Sequence, residues 1–303
     1  MRNPLSKTIE QIKPSGIRKF FDIVSEMPHA ISLGVGEPDF DTPWHVRSEG
    51  IRSLEKGRTF YTSNSGLIEL RQEICKWYQR KYNVLYDYKN EALLTVGGSE
   101  GIDVALRAML DPGDEVIIPE PCYVSYVPCV QLIGAVPVTI ELKNENQFRL
   151  TPEELLAAIT DKTKILILAF PSNPTGAVMT KEDLEPIAKI CQEKDIYVIS
   201  DEIYSELTYG GQKHCSISSL PGMKERTIVI NGFSKAYAMT GWRLGYALAP
   251  EVIAHQMTKI HQFAIMCAPT TSQYAAIEAI KNGDADIEKM CKSYDQRRRF
   301  LLK

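Results

Sequence analysis

Ile165-Leu166-Ile167-Leu168-Ala169-Phe170 is a run of six residues without one polar side chain. A strand that covers a core with one face alternates apolar and polar residues. A strand that is apolar throughout must be covered on both faces. The run therefore asks for a parallel sheet with helices above and below it. Its flanks supply them, because strand-like and helix-like stretches alternate from Glu91 onward. Strands are expected at 92–96, 115–119, 135–142, 165–170, 196–200, 227–230 and 244–248. Helices are expected at 44–54, 67–82, 102–110, 123–132 with a kink at Pro128, 151–159, 180–194, 251–263, 271–281 and from Asp286 onward. Thr151-Pro152-Glu153-Glu154 and Thr180 with Asp183 are helix starts by capping chemistry. The expected fold class is α/β, with three α/β/α layers around a mostly parallel sheet. Before it, Ile17, Phe20, Phe21 and Val24 form an apolar stripe on an N-terminal arm, and Ile31 to Val35 a short strand running into a Gly/Pro turn.

Several functions are disfavoured at this level. A net charge of -3 over 303 residues argues against nucleic acid as the main partner. No apolar segment is long enough to span a membrane, and the N-terminus has no apolar signal core, so a cytoplasmic protein is expected. Seven cysteines, none in a CxxC pair, fit neither a zinc site nor a disulfide framework.

Ligands of such sheets bind beyond the carboxyl ends of the strands. There the notable polar residues collect. Lys235 follows the run 227–230, where an amine can lose its proton and attack a carbonyl; a surface loop lysine is the plain alternative. Gly97-Gly98-Ser99-Glu100-Gly101 is a turn between strand and helix whose free amides suit a phosphate, or a tight turn only. Arg243 is a second partner for that anion, or a surface salt-bridge residue. Asp201, at a buried strand end, must be paired; a protonated ring nitrogen would serve, as would capping of the next turn. Asn173 and Tyr204 can bind a phenolate oxygen. Tyr123 can stack on a ring, or simply pack. A phosphate cradle, a ring-facing carboxylate, donors for an oxygen, a stacking aromatic and a Schiff-base lysine together describe a pyridoxal 5'-phosphate site.

These residues stand in ordered segments. They are Ser32 to Asp39, Tyr61 with Gly66 and Leu70-Arg71, Gly97 to Gly101, Pro171 to Gly176, Asp201-Glu202-Ile203-Tyr204, and Ser234-Lys235 through Gly241-Trp242-Arg243-Leu244-Gly245. The whole chain thereby resembles the class I, fold type I aminotransferases, in the branch with aspartate and aromatic amino-acid aminotransferases. The resemblance implies a large cofactor-binding domain at 51–285. Residues 1–50 would be an arm and part of a small α+β domain, and 286–303 the start of that domain's C-terminal part. It implies that Lys235 forms the internal aldimine and then moves a proton between substrate and cofactor. Asp201 keeps the pyridine nitrogen protonated, Tyr204 and Asn173 hold the ring oxygen, and Tyr123 stacks on the ring. Gly98, Ser99, Glu100 through its backbone amide only, Ser234 and Arg243 hold the phosphate. Tyr61 reaches the site of a homodimeric partner. Gly36 and Asn173 lie near the substrate, and Asp39 to Pro43 in a mobile entrance.

The implied reaction is ping-pong amino transfer from an L-amino acid to a 2-oxo acid, usually 2-oxoglutarate, in amino-acid metabolism and biosynthesis. The segment His261 to Pro269 holds no arginine for a distal carboxylate and carries Phe263, Ile265 and Met266. This tilts the expectation toward an aromatic or other neutral substrate, with an N-acyl-diaminopimelate substrate open. A carbon–sulfur β-lyase of the same fold is the rival chemistry. Relatives of the family run on beyond the equivalent of Lys303 and carry there an arginine that clamps the substrate carboxylate. No residue here matches it, so an incomplete chain is expected.

Overall fold

A computed structural model describes residues 2–14, 23, 27, 29 and 36–303. The expected stripe of Ile17, Phe20, Phe21 and Val24 and the strand Ile31–Val35 lie outside the described residues. After a short helix α1 (Lys7–Gln11) come α2 (Trp44–Glu55) and α3 (Ile68–Tyr82). The α/β body follows as β1 (Ala92–Thr95), α4 (Gly97–Met109), β2 (Glu115–Glu120), α5 (Tyr126–Leu132), β3 (Val136–Glu141), α6 (Pro152–Ala158) and β4 (Thr163–Ala169). It continues as α7 (Lys181–Glu193), β5 (Tyr197–Asp201), β6 (Thr227–Gly232), β7 (Gly245–Leu248), α8 (Glu251–Ala264), α9 (Thr270–Asn282) and α10 (Asp284–Leu301).

The strands form one seven-stranded sheet in the order β1-β7-β6-β5-β4-β2-β3. All neighbours pair in parallel except at β7, which runs antiparallel to both β1 and β6. The two-sided burial read from the 165–170 run is realised residue by residue. Ile165 and Ile167 enter the core beneath α4, α5 and α8. Leu166 and Leu168 enter the opposite core, beneath α6 and α7. A third cluster joins α3 and α9 to β1 and β7 through Leu70, Ile74, Tyr78, Leu94, Tyr246 and Ala276.

The capping pairs behave as their chemistry requires. Thr151 with Glu154, and Thr180 with Asp183, each close a reciprocal capping box. Two local expectations change. The 97–101 stretch is the first turn of α4 itself, not a turn ahead of it. Pro128 sits in the first turn of α5, where its missing N–H has no intrahelical partner to lose, so it starts the helix and does not kink it. No described helix is long and apolar enough to cross a membrane.

Candidate active site

The antiparallel strand β7 decides where the site lies. The carboxyl ends of β1, β2, β4, β5 and β6 open on one rim of the sheet, leading to Gly98, Tyr123, Asn173, Asp201 and Lys235. Because β7 runs the other way, its beginning falls on that same rim. Arg243, just ahead of β7, is thereby returned to the side from which Lys235 departs.

Period-two alternation then sorts the carboxylates of β5. Asp201 shares a face with Ile199, toward α4 and α5, while Glu202 points the other way. Asp201 is buried and accepts hydrogen bonds from the Tyr126 hydroxyl at 2.7 Å and the Ile203 backbone N–H at 3.2 Å. Burial raises its pKa, and those two donors only partly offset it. Glu202 accepts from Ser216 at 2.5 Å, Ser200 at 3.1 Å and Tyr78 at 3.1 Å. It is a core carboxylate serving packing behind the sheet.

Lys235 is half-buried, three residues beyond β6. Its Nζ donates to the Gly36 carbonyl and lies 5.8 Å from the Tyr204 ring centroid. Burial lowers its pKa, and Arg243 lowers it further, against the opposing pull of Glu37 and Tyr123. Tyr204 has its own pKa raised, first by burial and then by Asp201 and Tyr123. Tyr123 packs edge-on against Tyr126, with ring centroids 5.6 Å apart. Lys235, Asp201, Tyr204 and Tyr123 therefore share one electrostatic neighbourhood.

The anion side of the site is built from backbone. Gly97 has φ +75°, and a Cβ there would stand 2.9 Å from a guanidinium nitrogen of Arg243. A Cβ on Gly245 would stand 2.7 Å from the Gly97 carbonyl carbon and 2.8 Å from the Gly98 nitrogen. Two glycines thus let β7 and the start of α4 approach closely, with Arg243 lying over the helix start. Among the described residues, no side chain accepts from the N–H groups of the first α4 turn. Arg243 donates to the Thr240 carbonyl at 3.0 Å and is in no ion pair among the described residues. Ser99 is exposed and Ser234 half-buried, both beside these groups in sequence.

These features fit pyridoxal 5'-phosphate. Free helix-start amides and an unpaired guanidinium suit its phosphate. A buried carboxylate with two donors and a raised pKa has room for a cationic N–H partner. A half-buried lysine of lowered pKa suits its aldehyde.

The remaining candidates are more loosely placed. Asn173 is exposed, and Tyr61 is 79% exposed beside Phe60 at 80%. Phe263 is 83% exposed, and the chain after it is tied to the Tyr61 loop, since Asn64 donates to the Met266 carbonyl and Thr270 to the Phe60 carbonyl. Asp39 is held by Arg297 of α10 through both carboxylate oxygens at 2.8 Å.

Sequence reasoning passed over Tyr126 and His261. Tyr126 reads in the sequence as one more core tyrosine, and only its hydroxyl on Asp201 marks it. His261 lies 161 residues from its partner Glu100, and no local pattern marks it.

The sequence pattern of the family described as aminotransferase class I and II matches residues 28–303. The Bacillus subtilis (strain 168) protein YugH, which carries a provisional name as an aminotransferase, is 52% identical over 302 residues, covering 100% of this chain and 78% of its own. An aspartate aminotransferase of Pyrococcus abyssi is 45% identical over 301 residues, covering 99% of this chain and 77% of its own. The crystal structure of an aromatic aminotransferase from Pyrococcus horikoshii OT3 superposes with a TM-score of 0.88 at 44% identity, covering 94% of this chain and 76% of that one.

Proposed function

Since the chain belongs to the class I and II aminotransferases, we propose that the rim residues just described divide the work of amino transfer among themselves. The protein is a pyridoxal 5'-phosphate-dependent aminotransferase. The observation that carries the residue assignment is the convergence of Lys235, Asp201 and Arg243 on one rim of the sheet.

In this reading Arg243, Ser234 and the amides of Gly98, Ser99 and Glu100 hold the phosphate. Tyr123 covers one face of the ring, and Asn173 with Tyr204 hold its oxygen. Asp201 keeps the ring nitrogen protonated, steadied by Tyr126. Bound there, the cofactor supplies an electron sink for the pair of electrons left when the substrate α-proton departs. Nζ of Lys235 takes that proton and returns it, and its lowered pKa makes the neutral amine accessible for the purpose. Gly36, whose carbonyl accepts from Lys235, lines the substrate side together with Asn173. The cycle closes when a 2-oxo acid, 2-oxoglutarate as the expected acceptor, takes the amino group by the reverse sequence.

The exposed Phe263, Ile265 and Met266, with no arginine among them, favour an aromatic or other neutral side chain as donor. Tyr61 and Phe60, exposed beside the same segment, favour a homodimer in which Tyr61 reaches its partner's phosphate. Seven unpaired cysteines favour a reducing, cytoplasmic setting.

Absorbance of the purified protein with added pyridoxal phosphate tests the reading. A visible band should form, decay on adding phenylalanine or glutamate, and return with 2-oxoglutarate. A folded protein that forms no band, or a Lys235→Ala variant that forms the same one, overturns it.

A further inference from the structure

Glu100 presents a difficulty for any anion at the start of α4. It is the fourth residue of the helix whose first-turn amides face the rim. Its carboxylate is half-buried, on the same turn. A mobile carboxylate here would bind those amides itself or repel the ligand, because helix starts favour negative charge of any origin. The structure shows that carboxylate fully engaged elsewhere. One oxygen accepts from the backbone N–H of Val96, the residue preceding the helix. The other lies 2.6 Å from Nδ1 of His261 on α8.

His261 has no exposure to solvent. An ionised carboxylate only accepts hydrogen bonds, so Nδ1 carries the proton in this contact. Nε2 has no hydrogen-bond partner among the described residues. A fully buried, half-satisfied imidazole is costly to retain. Among the described residues its single polar contact is the one with Glu100.

We propose that His261 is a positioning residue for the phosphate subsite. It latches the Glu100 carboxylate back onto the Val96 N–H, so that the amides of Gly98 and Ser99 stay free for the phosphate. His261 touches neither cofactor nor substrate and acts through Glu100. The inference rests on the assignment of the α4 start as the phosphate subsite.

The test measures binding to the apoenzyme, with pyridoxal phosphate, inorganic phosphate and pyridoxal as three probes. His261→Leu keeps the volume and removes the donor. It should weaken pyridoxal phosphate and inorganic phosphate by about tenfold, the scale of one charge at a helix start in a partly buried site. Pyridoxal, which has no phosphate, should be affected by less than about twofold. His261→Asn restores an N–H donor near the Nδ1 position and should recover most of the loss. The double variant His261→Leu with Glu100→Gln, which has no carboxylate to restrain, should bind phosphate better than His261→Leu alone. Equal losses for pyridoxal and pyridoxal phosphate would reduce His261 to a packing residue and overturn the inference. So would a His261→Leu protein of unchanged affinity, or a double variant no better than the single one. If His261→Leu does not fold, His261→Met, which also lacks the donor, is compared with and without Glu100→Gln. Rescue by Glu100→Gln is again expected, and its absence is again fatal. Failure of the wild type to bind pyridoxal phosphate would instead count against the assignment of the site itself.

Discussion

At the scale of single residues, the site holds two groups in states that the apoprotein tolerates at a cost. Burial keeps the pKa of Lys235 below its ordinary value. Between the folded pKa and the unfolded value of about 10.4 the unfolded chain binds more protons, so stability rises with pH across that window. Lys235→Met removes the penalty. The apo variant should melt above the apo wild type at about pH 7, and the gap should close as pH approaches about 10. Thermal midpoints across that range check this, and a constant gap would refute it. Asp201 is the mirror case: burial raises its pKa, so its ionised form is a cost to the apo fold at neutral pH. Asp201→Asn can keep the bond from the Ile203 N–H through Oδ1 and donate its Nδ2 to the Tyr126 hydroxyl oxygen. Its apo stability should be unchanged or higher, while the half-reaction with an amino acid slows by about a hundredfold or more. Single-turnover absorbance measures that rate. Both residues stood out in the sequence as charged side chains at the ends of apolar runs, each with a plain alternative beside it. Tyr126 did not, since one more tyrosine on an apolar helix face reads as core until its hydroxyl is seen on Asp201.

At the scale of elements, the parts fixed by short-range chemistry were readable and those fixed by distant contacts were not. The capping box of α7 depends on residues three apart, and Thr180 with Asp183 announced it. Thr180→Ala should cost about 1 kcal/mol in urea denaturation and leave the cofactor band unchanged. The start of α4 depends on β7. Glycines at 97, 98 and 101 suggested a turn, whereas the structure uses the close approach of Gly245 to continue directly into helix. Gly245→Ala places a methyl against the backbone of Gly97 and Gly98. It should lose about 1–3 kcal/mol of stability and weaken pyridoxal phosphate more than pyridoxal in the same titration. Equal weakening of both would mean general loosening of the sheet. The antiparallel sense of β7 left no trace in the sequence, because four buried apolar residues look the same in either direction.

At the scale of the whole molecule, the helices flanking the sheet are tied by a charged clamp. His45 of α2 lies 2.8 Å from Glu278 of α9 through one ring nitrogen and 2.8 Å from Asp286 of α10 through the other. Both nitrogens can donate only in the imidazolium. Burial opposes that charge, but the hydrogen bonds with Asp286 and Glu278 outweigh it and raise the pKa. The contribution is complete below the unfolded value of about 6.5 and is lost as pH rises through the raised folded value. His45→Gln should therefore lower the thermal midpoint at about pH 6 and match the wild type by about pH 9. A difference that is the same at both pH values would show a packing effect. The same α10 grips Asp39 through Arg297, so the clamp and the Asp39 segment share one helix. The three-layer architecture was legible from alternation alone. These long-range pairs were not, since their members lie more than two hundred residues apart.

The return stroke of β7 has a consequence for redesign. Gly232 and Gly245 are paired directly across the sheet, so the chain between them is a closed ring with a fixed circumference. The amine of Lys235 and the guanidinium of Arg243 ride on that ring. Lengthening it by even one residue would shift one relative to the other while both ends stay fixed in the sheet. The exposed stretch around Gly210 and Gly211 carries no such constraint. Inserted sequence, whether natural or engineered, should accumulate there and never between Phe233 and Leu244.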